Sequence, residues 1–117
     1  MYLSEHFQDK EFFCHCCKKS VDIDKRLLAG LEKLRAMIGQ PIHINSGYRC
    51  EQHNQRIGGA SKSYHLKGMA ADISVADMDS RTLFAFCEDI PEFGGLGLYR
   101  SWVHVDTRKK MTMWGKI

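Results

Sequence analysis

The chain has 117 residues and a formal net charge of +3, which sets a single domain, residues 1–117, with room for one modest core. No apolar run approaches the roughly 20 residues of a membrane span. The charge would favour approach to an anionic surface but is too weak to argue for nucleic-acid binding. The expectation is therefore a monomer with no membrane and no nucleic acid as partner. Met1-Tyr2-Leu3-Ser4-Glu5-His6 lacks the basic start and apolar stretch of a signal peptide. The reading is of a protein made in the cytoplasm, which reaches any outside target through another component.

In chain order, Phe7, Phe12 and Phe13 stand among charges and suggest a short turn or helix laying aromatics on the core. Cys14-His15-Cys16-Cys17 follows. Structural zinc sites space their ligands as two pairs across a loop, and only Cys50 and Cys87 remain as distant thiols. The preferred reading has no second metal: the cysteines pack, or one lies near Cys50. A disulfide to Cys50 stays open for an oxidising compartment. Asp22 or Asp24 can cap a helix over Asp24–Ile38, with Leu27, Leu28, Leu31, Leu34 and Ile38 as its buried stripe. Gly39 and Pro41 stop it. Ile42 to Ser46 alternates as a strand, Glu51 to Arg56 reads as a short helix, and Gly58 to Ser63 as a loop. That loop has no Gly-Lys-Ser/Thr ending, so it is not a phosphate loop.

Ala71 to Val75 alternates as a second strand. Asp79-Ser80 can cap a helix over Arg81–Asp89 that carries Cys87 as a core thiol. Gly94 to Tyr99 turns into a strand that forms a hairpin with Trp102–Asp106. Arg108 to Lys110 reads as a solvated basic face or a wall contact, and Trp114 as an anchor of the tail to the core.

Two segments carry chemistry. Ser63-Tyr64-His65-Leu66-Lys67-Gly68-Met69-Ala70-Ala71-Asp72 offers an imidazole and, seven positions on, a carboxylate. Trp102-Val103-His104-Val105-Asp106 offers a second imidazole. Two histidines and one aspartate are the ligand types of a catalytic zinc with a water position left open. Pairing the two strands would bring His104 beside Asp72, so His65, Asp72 and His104 are the candidate metal ligands. Ser63 is placed to hydrogen-bond one of them. His6, His15, His43 and His53 lack such a context and are left out.

Ser63-x-His65, Gly68-x-Ala70-Ala71-Asp72 and Val103-His104-Val105, with Ser46-Gly47-Tyr48-Arg49 upstream and Asn54 and Gly58-Gly59-Ala60 between, resemble the D-Ala-D-Ala carboxypeptidase-like zinc peptidases. That group includes the lysostaphin-type enzymes and the hedgehog domain, and the likeness is nearest to its short phage and prophage branch. The resemblance implies an α+β fold with a small, mainly antiparallel sheet and helices packed on one side. It implies zinc as cofactor, peptidoglycan stem or cross-link peptides as substrate, and carboxypeptidase or endopeptidase activity, as in a phage endolysin. It also places Arg49 at the active site, where a guanidinium suits a developing oxyanion or a substrate carboxylate. Nickel, cobalt or copper would fit the same donors.

The chain departs from the family where a base is needed. Many members have Glu or Asp three positions before the last histidine, where this chain has Ser101; others have a histidine two before, where it has Trp102. Asp106 is the local candidate for a catalytic base; it would alternatively orient His104 or pair with an arginine. The second reading is accordingly a zinc-binding module without turnover, in a phage tail or a wall-binding role.

Overall fold

A computed structural model describes residues 1–115; Lys116 and Ile117 lie outside the described residues. The first helix, α1, runs Lys25–Ile38 and buries Leu27, Leu28, Leu31 and Leu34, the apolar stripe read from the spacing. Gly39 closes it in the left-handed conformation, φ 74°, which glycine adopts without steric cost. Asp24 occupies the cap position, but its side chain bonds no helix N–H. The carboxylate instead accepts from the Thr107 hydroxyl at 2.6 Å, tying the helix start to the chain beyond the last long strand.

Five strands make one sheet: β1 (His43–Ser46), β2 (Ala70–Ser74), β3 (Gly95–Leu98), β4 (Val103–Asp106) and β5 (Thr112–Trp114). Their order is β1-β2-β4-β3-β5. The β1–β2, β2–β4 and β4–β3 pairs are antiparallel, and β5 joins β3 in parallel. The expected α+β architecture with a mainly antiparallel sheet is therefore present. β5 was not expected, because three residues between basic and glycine-bearing segments give no periodic signal.

The pleat separates two faces. Ile44, Ile73 and Val103 align on one, as do Ala71, Val105 and Leu96. These side chains, with α1, α3 (Ser80–Cys87), Phe7 and Phe12, form the core. Phe13, expected beside them, is only half-buried. Asp79 caps α3, its Oδ1 accepting from the Thr82 N–H at 2.8 Å. No helix among the described residues is long and apolar enough to cross a membrane.

On the opposite face, Asp72 on β2 pairs with His104 on β4, His104 with Gly97 on β3, and Gly97 with Trp114 on β5. Ser46 faces Asp72 across an irregularity in β1. One transverse row therefore runs Ser46, Asp72, His104, Gly97, Trp114. The next row pairs Ala70 and Gly95 with Asp106. The glycines of β3 are spatial requirements: a Cβ at Gly95 would meet the Asp106 carboxylate, and one at Gly97 the Trp114 indole. Gly95→Ala is expected to lower stability by about 1–3 kcal/mol through overpacking, despite the entropy it removes from the unfolded chain. Urea unfolding checks this, and a variant as stable as wild type would mean that the carboxylate is not packed against β3.

Candidate functional site

His65 sits in a 3-10 turn, Tyr64–Lys67, closed by Gly68 at φ 70°. Ser63 caps that turn, its hydroxyl accepting from the His65 backbone N–H at 3.2 Å. Its partner is thus main chain rather than the imidazole. The turn folds the His65 ring over β2, where Nε2 lies 3.1 Å from Asp72 Oδ1. His104 Nδ1 reaches the same oxygen at 3.0 Å from the neighbouring strand. All three side chains are buried, and one ligand atom from each lies within 4.8 Å of the others.

The outer ring nitrogens define what the inner ones offer. His65 Nδ1 lies 2.7 Å from the Gly47 carbonyl oxygen, which only accepts, so Nδ1 carries a hydrogen. His104 Nε2 donates to Asp106 Oδ2 at 2.7 Å. When the rings are neutral, their inner nitrogens are therefore lone pairs, and both face a carboxylate oxygen. Three acceptors converge on one place, an arrangement that a proton or a cation must hold together. The burial and donor set fit a zinc ion, and the outer partners fix the tautomers as metal-bound histidines require.

With no cation between the groups, protons take that place: the inner nitrogens donate to the carboxylate, and the charges shift accordingly. Burial would raise the Asp72 carboxyl, but hydrogen bonds from His104 and His65 prevail and hold it far below the usual carboxylate range. Burial would lower the His104 imidazole; the Asp106 and Asp72 carboxylates outweigh it and raise the ring above its ordinary value. Asp106 is likewise held low, against its burial, by His104 and Arg108.

Arg49 is brought to the same place. Its Nη2 donates to Asp72 Oδ2 at 3.0 Å, Nε to Ser46 Oγ at 3.2 Å and Nη1 to Asn54 Oδ1 at 3.3 Å. Its own backbone N–H donates to the His65 carbonyl. Asn54, buried on α2 (Glu51–Arg56), completes the bracket by donating to Ala60 O at 2.8 Å. Gly47 and Asn54 stand among the motif residues, but their part as supports, a carbonyl for His65 and an amide for Arg49, is visible only in the structure.

Asp106 lies behind His104 rather than in the cleft. Its side chain is fully buried. Oδ1 accepts from the Arg108 backbone N–H and Nε, and Oδ2 accepts from Arg108 Nη2 at 2.7 Å as well as from His104. Arg108, expected as part of a solvated face, is the clamp on that carboxylate; Lys109 and Lys110 are exposed as expected. Trp114, expected as a core anchor, stands on the cleft face with its ring 5.1 Å from His104. Its Nε1 donates to Tyr99 Oη at 3.0 Å, and Tyr99 stacks on Trp102 at 4.8 Å. These rings wall a cleft of about 550 Å³ that contains Arg49, His65, Asp72 and His104. A larger depression, about 1130 Å³, lies around Lys18–Ile23 and Leu28, away from this chemistry.

All five cysteines are free thiols. Cys87 is in the core, where burial pushes its thiol up to about 12. Cys14 lies against Cys50, as the packing reading expected: its Sγ accepts from the Cys50 backbone N–H at 3.3 Å.

Residues 5–106, which include His65, Asp72 and His104, match the Peptidase M15 family. The chain is 32% identical over 98 residues to the peptidoglycan L,D-endopeptidase MepK of Escherichia coli K12, an alignment covering 76% of this chain and 53% of that protein. The MepK of Shigella flexneri gives the same 32% identity and coverage. The chain thus spans about half the length of the curated relatives it matches. The family match and the convergence of its motifs on one cleft agree: this chain belongs to the Peptidase M15 family.

Proposed function

We propose that the protein is a zinc-dependent peptidase acting on the peptide part of peptidoglycan. The observation that carries this reading is the meeting of two imidazole lone pairs and one carboxylate oxygen at the floor of a cleft. Family membership and the printed activity of the MepK relatives supply the substrate class. His65 Nε2, Asp72 and His104 Nδ1 would hold the zinc, which when bound supplies Lewis acidity and lowers the pKa of water.

The chain's own residues do the rest. Gly47 O and Asp106 keep the outer imidazole protons in place, so that both rings present lone pairs inward. Arg49 uses three of its five N–H donors on Ser46, Asn54 and Asp72. The bracket leaves two donors for a substrate oxygen, where fixed charge stabilises a developing oxyanion without reorganisation. The aromatic wall of Tyr99, Trp102 and Trp114 presents flat apolar surface to a peptide and limits water around the reacting carbonyl. Whether the bond lies within a cross-link or at a stem terminus is set by what fits along that wall. The L,D-endopeptidase relatives favour an internal bond.

One observation supports the second reading, a zinc-binding module without turnover. Asp72 is the only carboxylate among the described residues lining the cleft, and it is committed to both histidines and Arg49. We place Asp106 as the residue that orients His104, because both its oxygens are already engaged.

Two experiments separate these readings. Purified peptidoglycan incubated with zinc-loaded protein is expected to release new amino termini, and chelator-stripped protein none. Arg49→Ala should cut kcat by about 10²–10³ with zinc still bound. One zinc held in the cleft with no turnover on several wall types would favour the binding module. Asp106→Asn is expected to weaken zinc binding by about 10–100-fold and to recover most activity at saturating zinc. Hydrolysis lost at full zinc occupancy would instead make Asp106 the base.

A further inference from the structure

The cleft does not use the cysteines near the N-terminus, yet the fold assembles them. Cys14 and Cys17 come from one tight turn and Cys50 from the start of α2, and their sulfurs all lie within 4.8 Å of one another. We propose that Cys14, Cys17 and Cys50 form a second zinc site, structural rather than catalytic, which fastens the N-terminal segment to the chain that carries Arg49.

Four observations support it. First, Cys14-x-x-Cys17 is the short pair spacing of structural zinc sites, and the fold supplies Cys50 as the distant partner. A tetrahedral site with Zn–S near 2.3 Å needs sulfurs about 3.8 Å apart, so only small side-chain movements separate the present arrangement from a ligated one. Second, the turn is built to hold the pair together. Lys18 N–H donates to Cys14 O at 2.9 Å and Cys14 N–H to Lys19 O at 2.8 Å. Lys18 takes a left-handed φ of 58°, unusual for a side-chain-bearing residue. Third, backbone donors already address the sulfurs: the Cys50 N–H donates to Cys14 Sγ at 3.3 Å and the His53 N–H to Cys50 Sγ at 3.4 Å. Such bonds favour thiolate, the ligating form. Fourth, the same two segments carry further donor types, Cys16 in the turn and His53 on α2; neither belongs to the close sulfur cluster, so the fourth corner is filled by water or by one of them after a side-chain movement.

The consequence reaches the cleft through the chain. Cys50 follows Arg49 directly, and the Tyr48 N–H donates to Phe12 O at 2.9 Å. A metal bridging Cys14, Cys17 and Cys50 would therefore pin the Tyr48–Cys50 backbone next to the bond that the Arg49 N–H makes to the His65 carbonyl. A disulfide between Cys14 and Cys50 is the competing chemistry for the same atoms; it would leave Cys17 without its partner.

The test reads metal content and does not depend on peptidase activity. Protein expressed with zinc and purified under reducing conditions is expected to carry two zinc ions per chain. His104→Ala and Cys17→Ser should each carry one. After cobalt exchange, His104→Ala should keep an intense near-ultraviolet thiolate-to-cobalt band, and Cys17→Ser should lack it. Cys17 is exposed, so Cys17→Ser removes a sulfur ligand without opening the core. Should either variant fail to fold, the cobalt spectrum of the wild type still decides. One metal per chain with no thiolate band overturns the proposal. So does a wild type that arrives with Cys14 joined to Cys50, two hydrogens lighter by mass, and does not take up a second metal after reduction. A protein with two zinc ions but no hydrolysis would refute the peptidase reading and leave this site standing.

Discussion

A single carboxylate oxygen, Asp72 Oδ1, is approached by two imidazole nitrogens at 3.0 and 3.1 Å, and the rest of the molecule is arranged to make that approach possible. Like lone pairs repel at this distance, and burial removes the water that would screen them. The contact is affordable only with a cation or proton between the groups and with rigid walls around them. The antiparallel register of β2 against β4 supplies the first wall by setting Asp72 opposite His104. The Tyr64–Lys67 turn supplies the second by folding His65 over β2, where the Gly47 carbonyl fixes its ring.

Behind this centre lies a chain of charge pairs. Asp72 engages His104, His104 engages Asp106, and Asp106 engages Arg108, whose guanidinium stacks over Tyr64 and Trp114 at 4.8 and 5.1 Å. Alternating charge makes each member the reason its neighbour can be buried, since an ion without a partner would face a penalty of several kcal/mol. Arg108 also couples the chain to the aromatic wall, so the position of Trp114 depends on the same electrostatics that orients His104. Glycines at 95 and 97 are the steric counterpart: they leave the space that the carboxylate and the indole occupy.

Much of this was legible along the chain. The leucine stripe of α1, its glycine stop, the alternation of β2 and β4, and the hairpin into β4 all rest on local periodicity and turn chemistry, and they appear within a residue or two of where those signals place them. The meeting of His65, Asp72 and His104 was legible for a related reason: the three are of uncommon type for apolar, alternating surroundings. Asp24, Arg108 and Trp114 were misjudged because each is defined by a distant partner. Asp24 takes Thr107, 83 positions away, in place of its own helix N–H. Arg108 turns back onto Asp106, and Trp114 joins β3 through a parallel pairing that no hairpin signal announces.

The sequence by itself therefore determined the elements, the donor types and the family, because these depend on periodicity, residue chemistry and ordered motifs. Only the tertiary structure decided which side chains share atoms. It commits Asp106 to His104 and Arg108, gathers Arg49 onto Asp72, and brings Cys50 to the Cys14–Cys17 turn across more than 30 positions. Contacts of that kind are set by strand register and by the crossing of distant segments over one core. Neither has a local pattern to read, because the free energy that selects them comes from burying the whole sheet at once.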